Sequence, residues 1–222
     1  ILYPATWTKG FKFVYFFLKL ARYFRNRKYD SLRWGQRIAL ALVKLGPSFI
    51  KFGQTLATRS DLIGDDVATD LTLLQDRLDP FSFKEAKSIL ENETGMSIDE
   101  LFSSFDEKPA AAASIAQVHY ATTMNGEDVA VKILRPQIET AFASDLSLFK
   151  WIAKILENYI SRTKRLQPVK VVQIFENTIG LEMDMRMEAA AAGELAKNFE
   201  GDPDYKVPQI FWETTTKRVL TI

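Results

Sequence analysis

Cysteine is absent from the 222 residues, and histidine occurs once, as His119. The first absence excludes a disulfide framework, a thiolate zinc site and a cysteine nucleophile. The second argues against a histidine-based metal site and against a Ser-His-Asp triad built from this chain alone. Long hydrophobic runs are also missing. Phe13–Leu18 and Ile38–Val43 are the longest, at six residues each, against about 20 needed to span a bilayer as a helix. No secretory signal is readable, because residues 9–37 interleave aromatic and basic residues without a small-residue cleavage site. The lack of an initiator Met and the strand-like Arg218–Ile222 lead us to expect a piece of a longer protein, cut at both ends.

What is present is a globular composition, 47% apolar and 26% charged. A chain of this length can bury roughly 70% of its unfolded surface, enough for one core or two small ones. The net charge of +1 conceals a split. Residues 1–60 hold 12 Lys/Arg and one Asp, a net of +11, whereas residues 61–222 hold 17 Lys/Arg and 27 Asp/Glu, a net of −10. A basic arm in front of an acidic body suggests that the arm meets an anionic surface.

Phe13, Phe16, Phe17, Leu20, Ala21 and Phe24 fall on one stripe of a helix. Lys12, Lys19, Arg22, Arg25, Arg27 and Lys28 fill the other faces or follow the stripe. The pattern fits a helix lying on an anionic membrane, where each cation adds about 1 kcal/mol. It equally fits a helix packed on the rest of the protein with its basic side in water. Nucleic acid is set aside, since these cations form no recognisable reader motif.

A helix is expected over 31–45, followed by Gly46 and by Pro47 in the first turn of another helix. Lys51 and Gln54 of that second helix stand at i and i+3 on one face, and Gly53 between them suits close packing. Spacing alone reads them as a solvated pair. Residues 61–104 read as helices, with capping boxes at Ser82–Glu85 and Ser97–Glu100 and a helix-ending glycine at Gly95.

From Phe105 the pattern changes. A small-residue loop, Ala110-Ala111-Ala112-Ala113-Ser114, leads into a first strand. Asn125-Gly126 signals a hairpin with a type I′-like turn, and Val129-Ala130-Val131-Lys132 forms the second strand. That tetrapeptide is similar to the kinase strand whose lysine holds the α- and β-phosphates of ATP. Taken alone it is also any half-buried strand with a surface lysine. Such a lysine needs an acid from a following helix. Two helical segments follow, over 136–160 and about 169–199, and Gly180 is the expected bend in the second. Asp184 and Glu188 share a face there, and Glu182 points elsewhere unless the helix begins or bends nearby. Lys206–Trp212 and Lys217–Ile222 read as two closing strands. The fold class is therefore α+β: a kinase-like N-terminal lobe, ending at its hinge, behind a helical extension. The divisions expected are a basic helical arm over 1–45, a helical extension over 46–104, and the lobe over 105–222.

Together these motifs resemble the UbiB family of atypical kinase-like proteins, also called the ADCK family and linked to ubiquinone biosynthesis. Its Lys-x-Gly-Gln motif stands here as Lys51-Phe52-Gly53-Gln54, and its Ala-rich loop as Ala111-Ala112-Ala113-Ser114. Its nucleotide lysine stands as Lys132, its Glu-x-Asp motif as Glu182-Met183-Asp184, and its helix glutamate as Glu188. The motifs occur in the family's order, which turns the reading of Lys51 and Lys132 from solvated lysines to functional ones. Ala191 replaces a usual Asn and Met185 a frequent Tyr, and neither change removes a charge.

The resemblance implies ATP or ADP with Mg2+, bound by Lys132, the Ala-rich loop and the strand residues Val118 and Ala130. Lys51, Gln54, Glu182, Asp184, Lys132 and Glu188 would form the catalytic set. Metal ligands are expected downstream of Ile222 rather than within this chain. An alanine loop disfavours positive φ, so a stiffer loop with altered nucleotide preference is expected. The extension would lie over the cleft with Lys51 against Glu182 or Asp184, leaving room for a small or lipid-like substrate such as a quinone precursor. The whole protein would be an atypical kinase or ATPase of the phosphotransferase class, acting with other ubiquinone-biosynthesis proteins. It would sit on the cytoplasmic face of a bacterial inner membrane or an organellar equivalent, held there by residues 9–37. A non-catalytic pseudokinase scaffold switched by nucleotide is the alternative. A conventional protein kinase is disfavoured by the alanine loop and the extension. No role is expected for His119.

Overall fold

The computed structural model describes residues 31–74 and 78–222. The aromatic stripe at 13–24 and most of the basic arm lie outside the described residues. The first two helices, α1 (Trp34–Leu45) and α2 (Pro47–Ala57), are joined by Gly46 at φ +108°, a backbone angle that a side chain would strain. Pro47 occupies the first turn of α2, where its missing N–H costs nothing. Short helices α3 (Ser60–Ile63) and α4 (Asp65–Leu71) follow. They close a small core of Ala39, Leu71 and Leu74 against Leu42, Leu56 and Val67. The buried carboxylate of Asp70 is paired with Arg33. Gly53 is required by this packing, because a Cβ there would lie 2.4 Å from Leu74 and 2.6 Å from Leu42.

Both expected capping boxes are present, at the starts of α5 (Phe83–Thr94) and α6 (Ile98–Leu101), and Gly95 ends α5 in the left-handed region. The chain then builds an antiparallel sheet from β1 (Phe102–Phe105), β2 (Ala111–Ala112), β3 (Ala116–Thr123), β4 (Asp128–Leu134) and β5 (Val219–Thr221). The order is β1-β3-β4-β5, with β2 also paired to β3. Val129, Val131 and Ile133 of β4 pack under α5 and α6 together with Ala86, Leu90 and Val219. Leu134 and Leu220 belong to a second core shared with three long helices. These are α7 (Ile138–Tyr159), α8 (Pro168–Glu182) and α9 (Met185–Asn198).

The structure corrects four expectations about the secondary structure. Residues 102–104, read as helical, belong to β1; Phe102 and Phe105 are drawn into the apolar layer beneath the sheet. The hairpin turn is not type I′. Only Gly126 has positive φ, at +85°, and its N–H donates to the Thr123 carbonyl at 3.0 Å. That is a type I turn closed by a glycine bulge. Residues 206–211 form no strand; Pro208 there has no N–H for a ladder. Finally, the second helical segment breaks at Met183–Asp184 and not at Gly180.

Gly180 thus lies inside α8, exposed, with open space within 4 Å of where a Cβ would stand. Gly180→Ala is expected to stabilise the protein by about 1 kcal/mol through backbone entropy alone. Thermal denaturation should show the midpoint rising by roughly 2–4 °C.

Candidate nucleotide site

Strand alternation puts Ala130 and Lys132 on the sheet face opposite Val129, Val131 and Ile133. The register then lines up Ala111, Val118, Lys132 and Leu220 as one row across four strands. Tyr120 is paired with Ala130 one step further along. The two strand residues singled out with Lys132 therefore share its face: Val118 is directly opposite, and Ala130 is two residues before.

Lys132 Nζ lies 2.7 Å from Glu188 Oε2 and 3.0 Å from Oε1. The pair joins β4 to the first turn of α9. Asp184 starts α9 as its N-cap, accepting the Arg186 N–H at 3.2 Å. Arg186 also grips that carboxylate with Nε at 2.8 Å and Nη2 at 2.6 Å. The guanidinium bonds hold Asp184 below the usual carboxylate range and raise Arg186 in turn. Asp184 therefore does not share a helical face with Glu188. It stands outside the helix, at φ −121° and ψ 97°.

The break between α8 and α9 frees Glu182, the last residue of α8. Its Oε2 lies 3.2 Å from Lys51 Nζ on α2, so the extension meets the Glu-x-Asp segment through Glu182. Lys51 is largely buried here, with 15% of its side chain exposed. Gln54 is not part of that contact: its amide donates to the Leu74 carbonyl at 3.3 Å and fastens α2 to the end of α4. In the alanine loop, Ala111 and Ala112 are the short strand β2, and Ala113 N–H donates to the Ala116 carbonyl at 2.7 Å. Ser114 is fully buried beneath the turn. No loop residue has positive φ, as expected for a stretch without glycine.

Two residues with roles in this architecture were not legible in the sequence. Arg135 holds the alanine turn by donating Nε and Nη2 to the Ala113 carbonyl at 3.0 and 2.9 Å. Its guanidinium lies over the Phe81 ring at 5.7 Å. The only mark of Arg135 in the sequence is its position before Pro136, which favours extended backbone at the strand end. His119 is the other. It is fully buried, and its Nδ1 donates to the Asp106 carbonyl at 2.7 Å. Its Nε2 then accepts from the Gln117 amide at 2.8 Å, and Gln117 Oε1 accepts the Phe81 N–H at 3.0 Å. Gln117 and His119 are two apart on one strand, so both enter the same layer.

Burial pushes the His119 imidazole below its usual value of 6.5. The unfolded chain takes up a proton near 6.5, and the folded chain takes it up only at lower pH. Stability is therefore full above that pH and is lost as pH falls toward the lower folded value. Chemical denaturation between pH 7.5 and 5.5 should show this decline, and His119→Gln should flatten it.

An antiparallel sheet carrying a lysine held by a helix glutamate, with helices ahead of it, defines a kinase-like N-terminal lobe. Residues 73–222 match the ABC1 atypical kinase-like domain, and the chain belongs to that family. It is 48% identical over 192 residues to the probable protein kinase UbiB of Marinobacter nauticus, covering 86% of this chain and 35% of that protein. It is 43% identical over 201 residues to the probable protein kinase UbiB of Pseudomonas aeruginosa strain PAO1, covering 90% and 38%. Among solved structures it is similar to Rv3197 of Mycobacterium tuberculosis in complex with erythromycin, at 26% identity and a TM-score of 0.50. That match covers 96% of this chain and 50% of the other. The chain thus spans a little over a third of the length of these curated relatives.

Proposed function

We propose that the chain is the nucleotide-binding N-terminal part of an atypical kinase or ATPase that supports ubiquinone biosynthesis. The observation that carries this reading is the Lys132–Glu188 pair at 2.7 Å, set on a sheet face beside the alanine turn. A lysine that stays 28% exposed while a carboxylate fixes its direction suits a polyphosphate. Lys132 would hold the phosphates, Val118 and Ala130 would contact the base, and the Ala111–Ala113 backbone would border the phosphate chain. Bound ATP would supply the phosphoryl group; the residues of this chain bind and orient it.

The Lys51–Glu182 contact supports a second element of the reading. It ties the extension to the segment between α8 and α9, which would narrow access to the nucleotide and favour a small or lipid-like acceptor over a protein. The basic residues of 9–37 would bring the protein to an anionic membrane, the cytoplasmic face in a bacterium. Changing Lys12, Lys19 and Arg22 to Glu should weaken liposome binding, and no change would favour a packed helix instead.

Calorimetric titration of the full-length protein with MgATP and MgADP tests the nucleotide reading. Saturable binding followed by turnover supports it. Binding without turnover would favour a nucleotide-switched scaffold. No binding at millimolar nucleotide would overturn both.

A further inference from the structure

A groove of about 400 Å³ runs between α1, α2, α7 and α8, and every side chain lining it is apolar. Leu45, Phe52, Ile152 and Val172 lie along it. Beside it is a basin of about 460 Å³ formed by the start of α8, the turn before it and α3. The two recesses share Leu62, Leu166 and Val171, so one opens into the other. The basin holds three cations, Arg59, Arg165 and Lys170, against one carboxylate, Asp61. Arg59 is already committed to Asp61, with bonds of 2.8 and 2.7 Å. Arg165 and Lys170 are exposed and have no ion-pair partner among the described residues. Neither recess contains Lys132 or Glu188.

An apolar channel ending in two exposed cations, unpaired among the described residues, matches one kind of molecule. We propose that groove and basin together bind an anionic amphiphile, with its apolar chain in the groove and its acidic head at Arg165 and Lys170. The volume falls in the range of small-molecule sites, about 300–1,000 Å³. A neutral apolar ligand would leave the cations unused. The aromatic stripe of residues 13–24 fits less well, because Lys12, Lys19, Arg22 and Arg25 would bring like charge to the basin.

Dodecyl phosphate, dodecanol and inorganic phosphate, each below micellar concentration, are the probes for calorimetry. Dodecyl phosphate is expected to bind at least about tenfold more tightly than either of the others. The double change Arg165→Glu, Lys170→Glu should weaken dodecyl phosphate by about tenfold or more and leave dodecanol unmoved. Ile152→Glu, at a position 40% exposed, should weaken both. All three positions are exposed, so each variant is expected to keep its helical fold, which circular dichroism checks. Equal binding of dodecanol would overturn the role of the cations. Equal binding of inorganic phosphate would reduce the site to an anion contact and overturn the role of the groove. Binding that appears only after removal of residues 1–30 would show that the chain fills its own groove, and no binding in either form would end the proposal.

Discussion

Lys132→Met is expected to weaken ATP binding by roughly 10- to 100-fold, the loss of one charge-assisted contact worth about 1.5–3 kcal/mol. Methionine keeps most of the stem that lies between Val118 and Leu220 in the strand register, so the sheet face stays filled. Thermal stability should barely move. The Lys132–Glu188 pair is partly exposed, at 28% and 50%, and such pairs contribute about 0–1 kcal/mol. Glu188→Gln should cost less affinity than Lys132→Met, because the lysine remains and loses only its guide. Titration of each variant with MgATP, alongside its melting curve, separates loss of a ligand contact from loss of fold. Unchanged affinity in Lys132→Met would remove the lysine from the phosphate site.

The largest stability effect is expected at Phe175. It is fully buried on α8, with its ring centroid 5.2 Å from Phe52 of α2 and 6.0 Å from Phe149 of α7. Phe52 in turn stacks on Phe149 at 4.7 Å, and Phe49 meets Phe149 edge-on at 4.8 Å. Four rings thus join the extension to the two long helices. Phe175→Ala should cost about 3–5 kcal/mol. For a chain of this size that lowers the melting point by roughly 6–20 °C. Phe199→Ala is the control: Phe199 stacks on Tyr205 at 4.2 Å but is 36% exposed. It should cost below about 1 kcal/mol. Because Phe49 and Phe52 flank Lys51 on α2, the Phe175 variant should also loosen Lys51 from Glu182.

The residues legible in advance were those whose reasons are local. Ser82, Ser97, Gly95 and Pro47 declare helix ends by chemistry confined to four or five neighbours. Lys132 was visible from its strand pattern and Glu188 from the resemblance, and they meet across 56 residues. What was hidden depended on partners remote in sequence. Phe102 resembles a helix residue until α5 and Phe105 supply a layer to enter. Asp184 looked like a helical neighbour of Glu188 because its Arg186 clasp, which ends the helical geometry, has no periodic signature. Gln54 carried a family motif, yet its carbonyl partner at Leu74 lies in a loop that no pattern announces. Arg135 was missed for the same reason.

The strand that presents Lys132 also bears on how the chain is made. β4 pairs on one side with β3, its hairpin neighbour, and on the other with β5; Val131 faces Thr221, 90 residues later. Ala130 exchanges both backbone hydrogen bonds with Ile222, at 2.7 and 3.1 Å. At about 5–20 residues per second of synthesis, that edge of Val129–Leu134 stays open for roughly 5–18 seconds. Until then a short apolar strand presents unpaired N–H and C=O groups, an invitation to pair with another nascent chain. Any version terminated before residue 219 would keep that edge permanently, and aggregation rather than loss of nucleotide would be its first defect.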